Sequence, residues 1–293
     1  MILESSRDPS GAVREAFAFC ERMARTHYEN FPVASRFLPT DRRHYIWSVY
    51  AYARMADDFA DEGALAADER LRKLDEWEKK LDACVAGRAD HPVFIALAET
   101  IARTGISRKP LADLLTAFRM DVTRNRYQTF RDLLGYCECS ANPIGRLVLS
   151  IFGDATDRAL NLSDNICTAL QLANFWQDIS VDLRNNRLYI PLEDFQRFGY
   201  TELDLGRGIV DARFRNLVRF QVERTLQLFD AGAPLVREVT PTLRFELALT
   251  LNGGRAILRK IAGVSYDVLA SRPSLSFTDK ASILLASFFR RTL

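Results

Sequence analysis

Residues 171–182, QLANFWQDISVD, are the stretch from which this chain is read. As an α-helix they set Gln171, Asn174, Asp178 and Asp182 at spacings of three, four and four residues, so all four share one face. Leu172, Ala173, Phe175, Trp176, Ile179 and Val181 fill the remaining sides and read as buried. A carboxylate stripe entering an apolar setting is costly unless positive charge lies against it. The stripe therefore calls for a cationic partner.

A second acidic cluster lies upstream in residues 54–62, RMADDFADE. On a helix Asp57 and Asp61 face one way, Asp58 and Glu62 sit one residue round, and Arg54 falls on the side of Asp57. Alone, this cluster reads as a solvated helix face. Two D-x-x-x-D pairs on separate long helices, one of them extended through Asn174 and Gln171, point further. All-oxygen donors suit Mg²⁺ or Ca²⁺, and Mg²⁺ keeps waters and takes one or two carboxylates plus phosphate oxygens. Two facing carboxylate helices form a rim that holds several Mg²⁺ ions bridged by a diphosphate, which becomes a better leaving group. Arg184, Arg187 and Tyr189, in the LRNNRLYIP that follows, join Arg54 as a clamp for diphosphate oxygens. For Arg184 and Arg187 taken alone, a surface pair complementing the helix C-terminus is an equal reading.

The rest of the chain frames these motifs. At 293 residues and 48% apolar composition, the chain can bury a substantial core. Its 40 basic and 38 acidic residues nearly cancel, which gives no basic face for nucleic acid. Five cysteines with no regular framework argue against a disulfide scaffold, and Cys137 and Cys139 form a lone C-x-C that reads as buried thiols rather than a metal site. The N-terminus lacks a signal-peptide core and no run is long enough to span a bilayer. The expectation is a cytoplasmic protein, peripheral at most to the inner face of the membrane. Residues 282–293, SILLASFFRRTL, read as a C-terminal helix docking on the core in preference to a membrane-surface contact.

Helical periodicity predicts helices at 11–26, 41–61, 68–86, 92–105, 110–124, 130–152, 155–182, 207–229, 242–271 and 277–290. Residues 27–39, with two prolines, read as an irregular connection, and Gly63 as the end of the second helix. No alternating strand pattern appears. The expectation is one all-α domain over 1–293 with ten or more helices.

ARMADDFADE and LQLANFWQDISVDLRNNRLYIP together resemble the two aspartate-rich signatures of the squalene/phytoene synthase family. YCECSANPIGRLVL, from Tyr136, resembles the segment between them, and GGRAILRKIAGVSYDVLASRPSLS, from Gly253, the C-terminal region. The resemblance implies an isoprenoid synthase fold, a single helical bundle around a central cavity, with Mg²⁺ dependence and a C15 or C20 prenyl diphosphate substrate. It assigns Asp57, Asp61, Asn174, Asp178 and Asp182 to the metal rim, and Arg54, Gln171, Arg187 and Tyr189 to the diphosphate. It puts Tyr136 and Tyr266 near the departing diphosphate or the cationic intermediates; each tyrosine alone would read as a core residue with a satisfied hydroxyl.

One segment departs from the family pattern. Tyr28-Glu29-Asn30-Phe31-Pro32 stands where many members carry a serine-rich S-x-S-F-S, so no serine contacts are carried over. ENFPVAS, with SANPIGRLVL and NFWQD, resembles the bacterial hopanoid-pathway subfamily of hydroxysqualene synthases (HpnC). The implied reaction ionises presqualene diphosphate and traps the rearranged cation with water. Partner enzymes would make presqualene diphosphate and reduce hydroxysqualene, and NADPH is not expected. Alternatives are a presqualene diphosphate or squalene synthase condensing two farnesyl diphosphates, and a phytoene or dehydrosqualene synthase. A catalytically inactive assembly factor is the non-enzyme alternative; intact D-x-x-x-D pairs speak against it.

Overall fold

The computed structural model describes residues 9–26, 38–61 and 65–289. The ENFPVAS segment, Glu62, Gly63 and the final RRTL lie outside the described residues. Among the described residues there are fifteen α-helices, and the one β-type pairing is an isolated bridge between Arg126 and Leu188. The all-α expectation holds. The chain divides into two compact units, Met1–Val122 with Leu147–Ala155, and Thr123–Arg146 with Thr156–Leu293.

In the first unit, α1 (Pro9–Thr26), α2 (Thr40–Asp61), α3 (Ala67–Val85) and α4 (Pro92–Thr104) pack on one another. Side chains on the inner face of α2 fix its rotation. Ala51, Tyr52, Ala56 and Ala60 are essentially inaccessible, and the Ser48 and Thr100 hydroxyls bond each other at 2.7 Å in the core. Tyr52 donates its hydroxyl proton to the Leu111 carbonyl of α5 (Arg108–Thr123) at 3.0 Å, while Trp77 Nε1 donates to the Tyr52 carbonyl. Trp77 and Phe94 pack at 4.5 Å between ring centres beside them. With Ala56 and Ala60 turned inward, Asp57 and Asp61 fall outside that face. Pro92 opens α4 in the first-turn position where its missing N–H costs nothing, and Gly105 closes it at φ +70°.

The second unit is built on α8 (Asp157–Gln177), against which α6 (Phe130–Ser140), α12 (Ala212–Gly232) and α14 (Pro241–Gly263) pack. Trp176 is fully buried and donates Nε1–H to the Thr225 hydroxyl at 2.8 Å, which locks α8 to α12. Close approach at the far end of α12 requires Gly232, where a Cβ would lie 2.5 Å from Ile166 Cγ1 and 2.8 Å from the Leu162 carbonyl oxygen.

Three expected helices are interrupted. The 130–152 segment splits at Ala141 into α6 and α7 (Asn142–Phe152), because Pro143 carries no N–H to continue the ladder. The 155–182 segment breaks at Asp178, and α9 (Ile179–Arg184) follows at once. The 242–271 segment stops at Gly263 in a Schellman closure: Tyr266 N–H donates to the Ile261 carbonyl, Ser265 N–H to that of Ala262, and Ser265 takes φ +53°. Short helices α10 (Leu192–Arg197), α11 (Glu202–Gly206) and α13 (Leu235–Glu238) join the longer ones, and α15 (Phe277–Phe289) packs on α14. No helix among the described residues is long and apolar enough to cross a membrane.

Candidate functional site

In the first unit, Arg54, Asp57 and Asp61 occupy the C-terminal half of α2. The Arg54 guanidinium lies between two carboxylates of its own helix, 3.4 Å from Asp57 Oδ2 and 2.6 Å from Asp58 Oδ1. Asp57 and Asp58 are half-buried and Asp61 is exposed. The cluster thus carries its own cation, Arg54, paired to both half-buried carboxylates.

In the second unit, Gln171, Asn174, Asp178 and Asp182 are all half-buried, whereas Leu172, Ala173, Phe175, Trp176 and Ile179 are buried as expected. The stripe survives the break at Asp178. Asp178 N–H still donates to the Asn174 carbonyl at 2.9 Å, and Asp182 N–H to the Asp178 carbonyl at 2.8 Å. Asp178 therefore belongs to both helices, with φ −105° and ψ 12°. Its two carboxylate oxygens are both taken by Arg272, Nε on Oδ1 and Nη2 on Oδ2 at 3.0 Å. The pairing raises the Arg272 pKa. Burial pushes the Asp182 carboxyl up to about 7, with the Asp178 charge adding to the rise and Arg187 and Arg272 opposing it.

Sequence reasoning did not single out Arg272. It stands 94 residues from Asp178, on an irregular connection with no local signal of the contact. The same connection is pinned one residue later, at Pro273, whose carbonyl accepts from the Gln177 amide at 2.6 Å.

Past the stripe, Asn186 at φ +56° turns the chain so that Arg187 comes back toward Asp182, its N–H donating to the Asp182 carbonyl at 2.8 Å. Arg126 braces this turn with Nη1 on the Asn186 carbonyl at 2.7 Å and Nη2 on Asn186 Oδ1 at 3.2 Å, while its Nε holds Glu202. Arg184 ends α9 exposed to solvent. Tyr189 is nearly buried and stacks on Phe175 with centroids 3.6 Å apart and planes 7° from parallel. Tyr136 lies 6.0 Å from both rings, and Tyr127 5.7 Å from Tyr136. The structure thus gathers Tyr136 and Tyr189 into one aromatic cluster, to which Phe175 and Tyr127 are additions. Tyr266 sits apart, at φ +63° in the turn after α14, its ring 5.2 Å beneath the Arg219 guanidinium of α12.

These donors suit a hard divalent cation completed by substrate. Among the described residues no three His, Cys, Asp or Glu side chains converge into a ready cage. Asp178 and Asp182 with the Asn174 amide give two carboxylates and a neutral oxygen, the modest protein share that Mg²⁺ accepts. Cys137 is buried and Cys139 half-buried, both free thiols.

Residues 24–279 match the family model for squalene/phytoene synthase. The chain is 36% identical over 250 residues to a hydroxysqualene synthase of Sinorhizobium fredii (strain NBRC 101917 / NGR234), covering 85% of this chain and 84% of that protein. It is 32% identical over 288 residues to a phytoene synthase of Arthrospira platensis, covering 92% and 93%. The crystal structure of squalene synthase HpnC from Alicyclobacillus acidocaldarius superposes with a TM-score of 0.83 at 41% identity, over 88% of this chain and 99% of that one. A dehydrosqualene synthase in complex with ligand gives a TM-score of 0.86 at 24% identity, over 97% and 99%, a likeness of fold. The chain belongs to the squalene/phytoene synthase family of prenyl-diphosphate enzymes.

Proposed function

We propose that this protein is a hydroxysqualene synthase, converting presqualene diphosphate and water to hydroxysqualene and diphosphate. The observation that carries this reading is the order of identities. The hydroxysqualene synthase and the HpnC structure, at 36% and 41%, stand above the phytoene synthase at 32%. The whole chain, 1–293, acts in this reading as one catalytic domain.

Asp57, Asp61, Asn174, Asp178 and Asp182 hold Mg²⁺. Arg54, Gln171, Arg187 and Tyr189 hold the diphosphate through charge-assisted hydrogen bonds. Bound Mg²⁺ supplies Lewis acidity that makes the diphosphate a better leaving group. The C–O bond then breaks, its electron pair leaves with the diphosphate oxygen, and a cyclopropylcarbinyl cation remains. Apolar walls keep stray water away while the cation rearranges. Tyr136 and Tyr266 attend the departing diphosphate or the cation, and a desolvated aromatic face contributes about 2 kcal/mol to a passing positive charge. Water adds to the rearranged carbon and its extra proton passes to the released diphosphate, so no reductant is consumed and NADPH is not required.

The test offers purified protein and Mg²⁺ three substrates separately: presqualene, farnesyl and geranylgeranyl diphosphate. Mass spectrometry should find hydroxysqualene from the first and no condensation of the other two. Condensation of farnesyl diphosphate would make the protein a first-step synthase, and of geranylgeranyl diphosphate a phytoene synthase.

A further inference from the structure

Large apolar side chains exposed to solvent gather at one edge of the second unit. Val264 follows the end of α14, and Phe277, Leu284, Leu285 and Phe288 lie on α15, with Phe277 86% and Leu285 58% exposed. Positions 277, 284, 285 and 288 form one stripe at helical spacing. The opposite side of α15 is committed to α14, through the Asn252 amide on the Ser287 hydroxyl at 2.9 Å and the Lys260 ammonium on Asp279 at 2.7 Å. Isolated apolar residues on a surface are ordinary, but a contiguous stripe marks an interaction face.

The charges beside the stripe indicate its partner. The last turns of α14, residues 255–263 (RAILRKIAG), carry Arg255, Arg259 and Lys260 and no carboxylate, and α15 adds Lys280. A groove of about 500 Å³ between the two helices is lined by Arg259, Lys260, Asp279, Ser282 and Ile283. Arg255 is paired with Asp230 and Lys260 with Asp279, whereas Arg259 is exposed and makes no ion pair among the described residues. Apolar side chains flanked by cations suit a surface that is hydrocarbon beneath and phosphate above. A second copy of this edge would set like charges against each other.

We propose that the α14–α15 edge docks on an anionic lipid bilayer, with the apolar stripe of α15 entering the headgroup boundary and Arg259 and its cationic neighbours meeting lipid phosphates. The proposal deepens the proposed function, because a C30 product with one hydroxyl leaves water for hydrocarbon, and it rests on that reading only for this purpose. Vesicle binding needs no substrate, so it stands or falls separately from the product analysis.

The test is flotation of the full chain with vesicles of phosphatidylcholine alone or with phosphatidylglycerol, at low and high salt. The expected result is flotation with the anionic vesicles, weakened several-fold by high salt. Phe277→Ser with Leu285→Ser should lower partition roughly tenfold or more while leaving turnover in solution unchanged. Arg259→Glu, a change at an exposed side chain, should remove the preference for anionic vesicles, and it keeps the question decidable if the double variant misfolds. Three results would each overturn the proposal: no flotation of the wild type, equal flotation of the wild type and both variants, or a wild-type dimer that the double variant dissolves without any vesicle binding.

Discussion

At the residue scale, Asp178 closes α8, opens α9 and offers both carboxylate oxygens to Arg272. Asp178→Ala and Asp57→Ala should each abolish turnover of a prenyl diphosphate while the far-ultraviolet circular dichroism stays that of the wild type; wild-type rates in either variant would contradict the metal assignment. Asp279 gives a prediction about acid. Lys260 and Ser276 hold its carboxyl down to about 2. A depressed folded value adds stability above the unfolded value, near about 4, and that stability is lost as pH falls toward 2. Urea unfolding should therefore find Asp279→Asn less stable than the wild type at neutral pH, with the gap closing in acid. A gap that is constant or widens on acidification contradicts the assignment. The aspartates were legible in the sequence because D-x-x-x-D spacing is itself a helix-face statement. Arg272 was not, because its contact spans 94 residues and leaves no periodic trace. The resemblance singled out Tyr136 and Tyr189, whereas their packing with Phe175 and Tyr127 needed the fold that stacks the rings.

At the scale of elements, apolar periodicity located the helices, but the points where they stop depended on local chemistry. At the α6–α7 break the apolar periodicity carried the expected helix through Pro143, whose missing N–H ends the ladder there. The break at Asp178 keeps its i−4 hydrogen bonds, so periodicity runs through it unchanged. The Schellman end of α14 places Ser265 where glycine is usual, which removed the expected signal. The segment carrying Arg187 and Tyr189 is held by Arg126, whose Nη1 also reaches its neighbour's carbonyl at Asn125, 2.9 Å away. Arg126→Ala should cost about 1–2 kcal/mol of stability in urea unfolding. It should also lower turnover more than a distant substitution of equal cost, with partial recovery in Arg126→Lys; unchanged turnover would mean that the brace does not position the segment. Where α12 meets α8, Gly232→Ala should cost about 1–3 kcal/mol, since a Cβ would press on the Leu162 carbonyl rather than on a flexible side-chain tip. A thermal midpoint equal to the wild type would contradict that contact.

For the whole molecule, the all-α fold and family membership follow from the residues quoted at the outset together with the match over residues 24–279. The identity of the group that quenches the cation is less accessible to sequence. Water, hydride and proton loss place no fixed motif on a helical chain, so the reading depends on the order of resemblance among relatives. The most direct measurement is a turnover of presqualene diphosphate with Mg²⁺ in heavy-oxygen water, without NADPH. Hydroxysqualene heavier by the isotope difference is the predicted result. Unlabelled product, or squalene formed only when NADPH is added, would contradict the account.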